Sequence, residues 1–306
     1  MTPAPTLSEE AVREAVDRVR RVPDAHRRFG KDAAFAYEQW AIDGPLLETL
    51  LDAGLPHRRA GGARTYERTD LHNLSLYLRL PSPYFTALSR TAHALDERAA
   101  RGGDHHREIT VAAECPGPPH PGRDCAFAPD PGFATAVVPG SLRETRPGVF
   151  DAHVRMPSDT TLFGAEQAAL LALVADWELY VLPEGLAQDE GFTRETGLCN
   201  CVIPTAVLLR EAEARGLTAR HGGGMLITPP FTTLHHWAEL PVDGAWVPAD
   251  PVLLRAFARW GMADPAAWPP HRSVNGCVRR TRTWPDMVFP VVLHEGETAP
   301  TQIRAR

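Results

Sequence analysis

The chain has 306 residues, 43% of them hydrophobic, and a formal charge of −6, values that describe one large or two modest globular domains. The charge spreads over both halves without a basic patch, which excludes nucleic acid as the partner. Lys31 is the single lysine, so neither a Walker-type phosphate loop nor a lysine Schiff base is available elsewhere in the chain.

The opening stretch MTPAPTLSEE has no apolar core behind a basic head, and no run approaches 18 apolar residues. Neither a secretory signal nor a membrane span is expected. Five cysteines, an odd number, fit a reducing cytoplasm rather than a disulfide framework. Residues 6–100 read as mainly helical. Thr6 and Glu9 make a capping box ahead of Ala11, Val12, Ala15, Val16 and Val19 at helical spacing. Lys31–Ala41, Leu46–Ala53 and Pro83–Ala100 continue the pattern. Leu74–Leu80 alternates like a strand while sitting among helices, and its type stays open. Arg101–His106 reads as a linker, so the expected organisation is a helical N-terminal region (1–103) followed by a catalytic region (104–306).

Beyond the linker the texture changes to short strand patterns, at Glu108–Ala113, Ala134–Val138 and Val149–Met156, divided by Pro/Gly-rich turns. Between them, Cys115, His120 and Cys125 are evenly spaced in a proline-rich loop. A structural zinc site takes four ligands, usually with closely spaced cysteine pairs, and this loop lacks them. It reads as a stiff surface loop; no metal and no cofactor are expected. Asp104, His105 and His106 carry no site on adjacency alone. Gly164–Leu182 predicts a long helix behind the catalytic segment. Val252–Trp260 predicts another helix, and Val278–Trp284 and Val288–His294 late strands. The tail past Glu295 is expected to fray.

The most informative stretch runs from Gly197 to Pro251. His235–Val242 and Ala245–Asp250 are alternating runs joined by Asp243-Gly244, a strong hairpin signal. A two-residue turn sets Val242 against Ala245 and, back along the ladder, Trp237 against Asp250. Side chains alternate faces, so His235, Trp237 and Glu239 share a face with Asp250, while His236 points away. Diagonal neighbours lie within about 7–8 Å at the backbone, so the register selects His235 as the histidine that Asp250 can orient.

Proline separates two nearby cysteines. It is tolerated in the first turn of a helix and breaks an interior. A helix beginning near Cys201 holds Pro204 in its first turn; one beginning at Cys199 carries it more than a turn inside. A helix N-terminus also favours a thiolate. Cys201 is the expected nucleophile and Cys199 the alternative. Taken singly, buried cysteines and a strand histidine are ordinary core residues; in order and in register, they make a thiol nucleophile, its base and the base's orienter.

These residues resemble the transglutaminase-like superfamily, whose pattern is a helix begun by cysteine and ending in G-I-P-A-R, then H-x-W-x-E, then W-V-P-x-D-P. The matching pieces are Gly216–Arg220, His235–Glu239 and Trp246–Pro251. The family's helix length points to Cys201. Its glycine two residues before the cysteine points instead to Cys199, because here that glycine is Gly197. The resemblance covers about 55 residues. It implies an α+β fold with a papain-like, transglutaminase-like core, the cysteine helix packed on an antiparallel sheet. It also implies a catalytic triad of Cys201, His235 and Asp250 and a thioester acyl-enzyme intermediate. The expected partners are an acyl donor and an amine or water acceptor, whether small molecule, peptide or carrier-bound thioester. Amide formation or transacylation in biosynthesis is the leading reading. Hydrolysis as a cysteine peptidase or amidase is an alternative, as is a non-catalytic interaction protein of the same fold.

Overall fold

A computed structural model describes residues 7–117, 125–158, 160–282 and 290–306. The chain forms α1 (Glu9–Arg20), α2 (Ala33–Trp40), α3 (Gly44–Asp52), a small hairpin β1 (Arg58–Ala60) and β2 (Ala63–Thr65), α4 (Arg68–Tyr77) and α5 (Pro83–Arg101). Then come β3 (Asp104–Ala113), β4 (Phe127–Pro129), α6 (Pro131–Ala136), β5 (Arg143–Arg146), β6 (Val149–Pro157) and α7 (Ala165–Leu171). The middle holds β7 (Glu178–Leu179), α8 (Glu190–Thr196), β8 (Leu198–Cys199) and α9 (Val202–Ala214), then β9 (Arg220–Thr228), β10 (Phe231–Val242) and β11 (Ala245–Ala249). The last elements are α10 (Pro251–Arg259), β12 (Val278–Arg282), β13 (Val292–His294), β14 (Glu297–Thr298) and β15 (Thr301–Ala305). The fold is thus mixed α and β, with an antiparallel main sheet.

Two compact units emerge, each assembled from three stretches of chain. One comprises 1–89, 176–203 and 252–268; the other comprises 90–175, 204–251 and 269–306. Segments 176–203 and 252–268, which the sequence groups with the catalytic region, cluster with the N-terminal helices.

The first unit is built on amphipathic helices. In α1 the residues Val12, Ala15, Val16 and Val19 form one buried stripe. The helix is capped by Ser8, whose side chain accepts from the Ala11 N–H at 3.1 Å; the expected capping residue, Thr6, lies outside the described residues. A serine closer to the stripe supplies the oxygen, and such a cap contributes about 1 kcal/mol. The stripe packs with Trp40, Leu47, Leu50, Leu71 and Leu74. Leu74–Leu80, left open above, forms the end of α4 and its exit, with Arg79 at φ 55°. Below this core, Arg27 Nε donates to Asp70 Oδ2 at 2.7 Å with both side chains 1% exposed. Burial nevertheless pushes the Asp70 carboxyl up to about 6, against the lowering by Arg27.

The second unit is organised by an eight-stranded sheet in the order β12-β9-β10-β15-β3-β6-β5, with β11 also on β10. One edge of β10 pairs with β15 at Phe231 and Thr232 and with β11 from Ala238 to Val242; its other edge carries β9 from Phe231 to Glu239. Ile109, Val111, Phe150, Val154, Met156, Met225, Ile227 and Ile303 form the core of this unit.

Several expectations change here. The tail does not fray: β15 lies between β10 and β3, and its alternation buries Ile303 and Ala305. The linker at Arg101–His106 is mostly structured, since β3 begins at Asp104 immediately after Gly102 and Gly103, both at positive φ. Ala134–Val138 is not a strand; Asp130 caps α6 through the N–H groups of Gly132 and Phe133, with Pro131 in the first turn. The long helix of Gly164–Leu182 stops at Leu171, and Glu178–Leu179 pairs in parallel with Leu198–Cys199. The late strands are seen at Val278–Arg282 and Val292–His294; the parts expected at 283–284 and 288–289 lie outside the described residues. Strand β9 was not foreseen, because Gly222–Gly224 weaken its strand signal.

Candidate active site

The hairpin follows the expected register. Asp243 and Gly244 both take positive φ, 49° and 80°, the pattern of the turn that matches strand twist. Val242 pairs with Ala245 and Ala238 with Ala249, where the ladder ends; Trp237 and Asp250 are the next residues along the two chains. On that face His235 Nε2 lies 2.6 Å from Asp250 Oδ2, with the two side chains 6% and 7% exposed. A carboxylate only accepts, so Nε2 carries the donated proton and the lone pair of the neutral ring sits on Nδ1. The His235 ring lies nearly parallel to Trp237, with centroids 6.2 Å apart. Trp237 requires Gly222 on the neighbouring strand, because a Cβ there would run into the indole ring.

His236 faces the other way, where its Nδ1 lies 2.9 Å from His221 Nε2. The sequence reading did not single out His221, whose only signal was its position two residues before Gly223, the residue paired with His236. A cavity of about 610 Å³ touches His221 and Arg220 and is otherwise lined by residues 209–219, such as Leu209, Arg210 and Glu213. Neither His235 nor Asp250 lines it, so it is a separate feature from that pair.

Glu239, expected as a strand-end charge, accepts from Arg220 Nε at 2.6 Å, with Arg280 Nε at 3.6 Å. The Arg220 guanidinium also stacks 4.2 Å from the Trp246 ring. These contacts join the last residue of Gly216–Arg220 to both downstream motifs.

Cys199 and Cys201 lie in the first unit. Asn200 Oδ1 accepts from the N–H groups of Val202 and Ile203 at 3.0 and 3.3 Å, while its Nδ2 donates to the Ala187 carbonyl at 2.6 Å. This is an N-cap, so Cys201 is the first residue past the cap of α9 and Pro204 falls in the first turn. Cys201 is half-buried. Cys199 is fully buried in β8, its Sγ 3.6 Å from the Glu178 carbonyl. Cys277 is equally inaccessible: burial pushes its thiol up to about 12, and it donates to the Val274 carbonyl at 3.2 Å. Of these three, Cys201 alone has an exposed side.

Elsewhere in the second unit, His105 Nδ1 lies 3.0 Å from Ser158 Oγ, and burial lowers its pKa to about 4. Cys115 and Cys125 converge on His294; His120, the histidine expected between them, lies outside the described residues. Among the described residues, no helix is long and apolar enough to cross a membrane.

No family model, curated protein or solved structure matches the chain.

Proposed function

We propose that the protein is a cysteine-dependent acyltransferase of the transglutaminase-like kind, with Cys201 as nucleophile, His235 as base and Asp250 as the residue that orients it. The observation that carries this reading is the buried His235 Nε2–Asp250 Oδ2 contact of 2.6 Å, which holds the imidazole in the tautomer a general base needs. The capped start of α9 and the burial of Cys199 support Cys201. A papain-like core is the matching architecture, and the inclusion of Pro204–Ala214 in the same compact unit as the sheet supports it.

In this mechanism the Cys201 proton passes to His235 Nδ1 and the thiolate attacks an amide, ester or thioester carbonyl. The tetrahedral oxyanion collapses, the leaving group takes the proton from His235, and a thioester forms on Sγ. An amine acceptor then loses its proton to His235, attacks the thioester and releases Cys201, yielding an amide. Water in the same role gives hydrolysis. Asp250 stabilises the imidazolium formed in each half-reaction. A reducing, cytoplasmic setting suits a thiol nucleophile and a dedicated biosynthetic substrate.

Intact-mass analysis after incubation with a panel of acyl thioesters and peptide amides tests this. The expected result is an acyl adduct on the peptide bearing Cys201, released by hydroxylamine and missing from Cys201→Ala. Slow alkylation of Cys201 at neutral pH together with no adduct from any donor would overturn it. Adding amines to the trapped species separates transfer from hydrolysis, because transfer consumes the amine.

A further inference from the structure

We propose a second site, independent of the acyl chemistry: a zinc ion held by the Cys115 and Cys125 thiolates and the His294 imidazole, with water as fourth ligand. The two Sγ atoms and a ring nitrogen of His294 all lie within 4.8 Å of one another. No other group of three such donors occurs among the described residues.

Backbone pairing on both sides of the loop brings these donors together. Where the chain enters, the Ala113 N–H donates to the Gly148 carbonyl at 2.8 Å and the Glu114 N–H to the Pro300 carbonyl at 2.9 Å. These bonds fix the chain immediately before Cys115. Where it leaves, the Glu295 N–H donates to the Ala126 carbonyl at 3.0 Å, and Phe127 pairs with His294. The His294 ring packs against Phe127 with centroids 5.0 Å apart and is 5% exposed. The imidazole is thus held by the strand pair, while the half-buried thiols approach it from the two ends of the loop.

Two soft thiolates and an imidazole are a zinc donor set. Zn–S and Zn–N bonds of about 2.3 and 2.0–2.1 Å space tetrahedral ligands roughly 3.4–3.8 Å apart, so a small closure completes the site. Each thiol releases its proton on binding, and the two thiolates neutralise the ion. The ion would tie Cys115 and Cys125 to His294 of the β13–β14 pair.

The test uses the full chain, reduced and stripped of metal, with Co²⁺ as the spectroscopic probe and Zn²⁺ as competitor. One equivalent of Co²⁺ should bind with thiolate-to-metal charge transfer and the visible bands of a tetrahedral centre, and Zn²⁺ should displace it. Cys115→Ser and Cys125→Ser should each lose the charge-transfer band, while Cys201→Ser keeps it. Without any variant, Zn²⁺ should slow alkylation of Cys115 and Cys125 at least tenfold and leave Cys201 labelling unchanged. Sub-stoichiometric uptake, a spectrum without thiolate charge transfer, or alkylation rates indifferent to Zn²⁺ would overturn the proposal. A Cys115–Cys125 disulfide persisting under reduction in protein that takes up no metal would overturn it too.

Discussion

His235 and Asp250 meet through Nε2 and Oδ2 at 2.6 Å although 14 residues separate them in the chain. The link between them is a two-residue turn. Asp243 and Gly244 fix the pairing of Val242 with Ala245, and the two-residue period of a strand then decides which of two adjacent histidines faces the aspartate. The same register sends His236 to His221. One ladder therefore produces two buried polar pairs on opposite faces, with different consequences for substitution.

His235→Ala should lower kcat by orders of magnitude, and Asp250→Asn should follow it more mildly by spoiling the tautomer while leaving the ring. His236→Ala should keep most activity and lower stability by about 1–3 kcal/mol, since it leaves His221 buried beside a void. Single-variant kinetics with paired denaturant melts read this; an inactive His236→Ala beside an active His235→Ala would reverse the assignment of base.

Cys201→Ala should remove activity by about 10⁴-fold or more, as loss of a nucleophile does. Cys199→Ala should retain turnover and lose stability, because the Cys199 side chain is fully enclosed. Rates normalised to folded protein distinguish the two. Full loss in Cys199→Ala with a healthy Cys201→Ala would move the nucleophile to the buried thiol.

Gly224→Ala should destabilise more than Gly222→Ala. A Cβ at 224 runs into the Arg279 carbonyl and the backbone at Arg280 and Thr281, whereas at 222 it meets the Trp237 ring. A side chain can shift where a paired strand cannot, so at least 1–3 kcal/mol is expected at 224. Thermal denaturation of the two variants gives the order; equal losses would mean that β12 yields as easily as the indole.

His72 should make the first unit acid-sensitive. Its ring stacks on Trp40 at 4.2 Å and lies edge-on to Tyr84 at 4.8 Å. Burial and then Arg68 lower its pKa from 6.5 to about 3. The folded state therefore binds fewer protons than the unfolded state between those values. The stability tied to His72 is complete above about 6.5 and is lost as pH falls toward 3. The slope is on the order of 1 kcal/mol per pH unit within that window. Urea unfolding at pH 7 and pH 5 should show a larger loss for the native chain than for His72→Phe; parallel losses would remove His72 as the cause.

Short-range chemistry was legible in the sequence. The Asp243-Gly244 turn, the alternation of His235–Val242 and the tolerance of Pro204 in a first turn each act over a few residues. They placed the hairpin register, the His235–Asp250 pair and the start of α9 near Cys201. Asp43 capping α3 with Pro45 in its first turn belongs to the same class.

Pairing over long distances was decided by the tertiary structure. The five residues of β15 gain their order only from β10 and β3, which meet them from about 70 and about 190 residues earlier. The apolar run of 164–182 was helical by period, yet Glu178 and Leu179 pair with β8, since backbone bonds and burial across the chain outweigh a weak local propensity. Gly222 and Gly224 weaken a local strand signal, yet they sit in a strand where Trp237 and β12 occupy the space their side chains would have filled. His294 joins Cys115 and Cys125 for the same reason: 168 residues separate it from Cys125, and the pairing of β13 with β4 helps bring imidazole and thiols to one point.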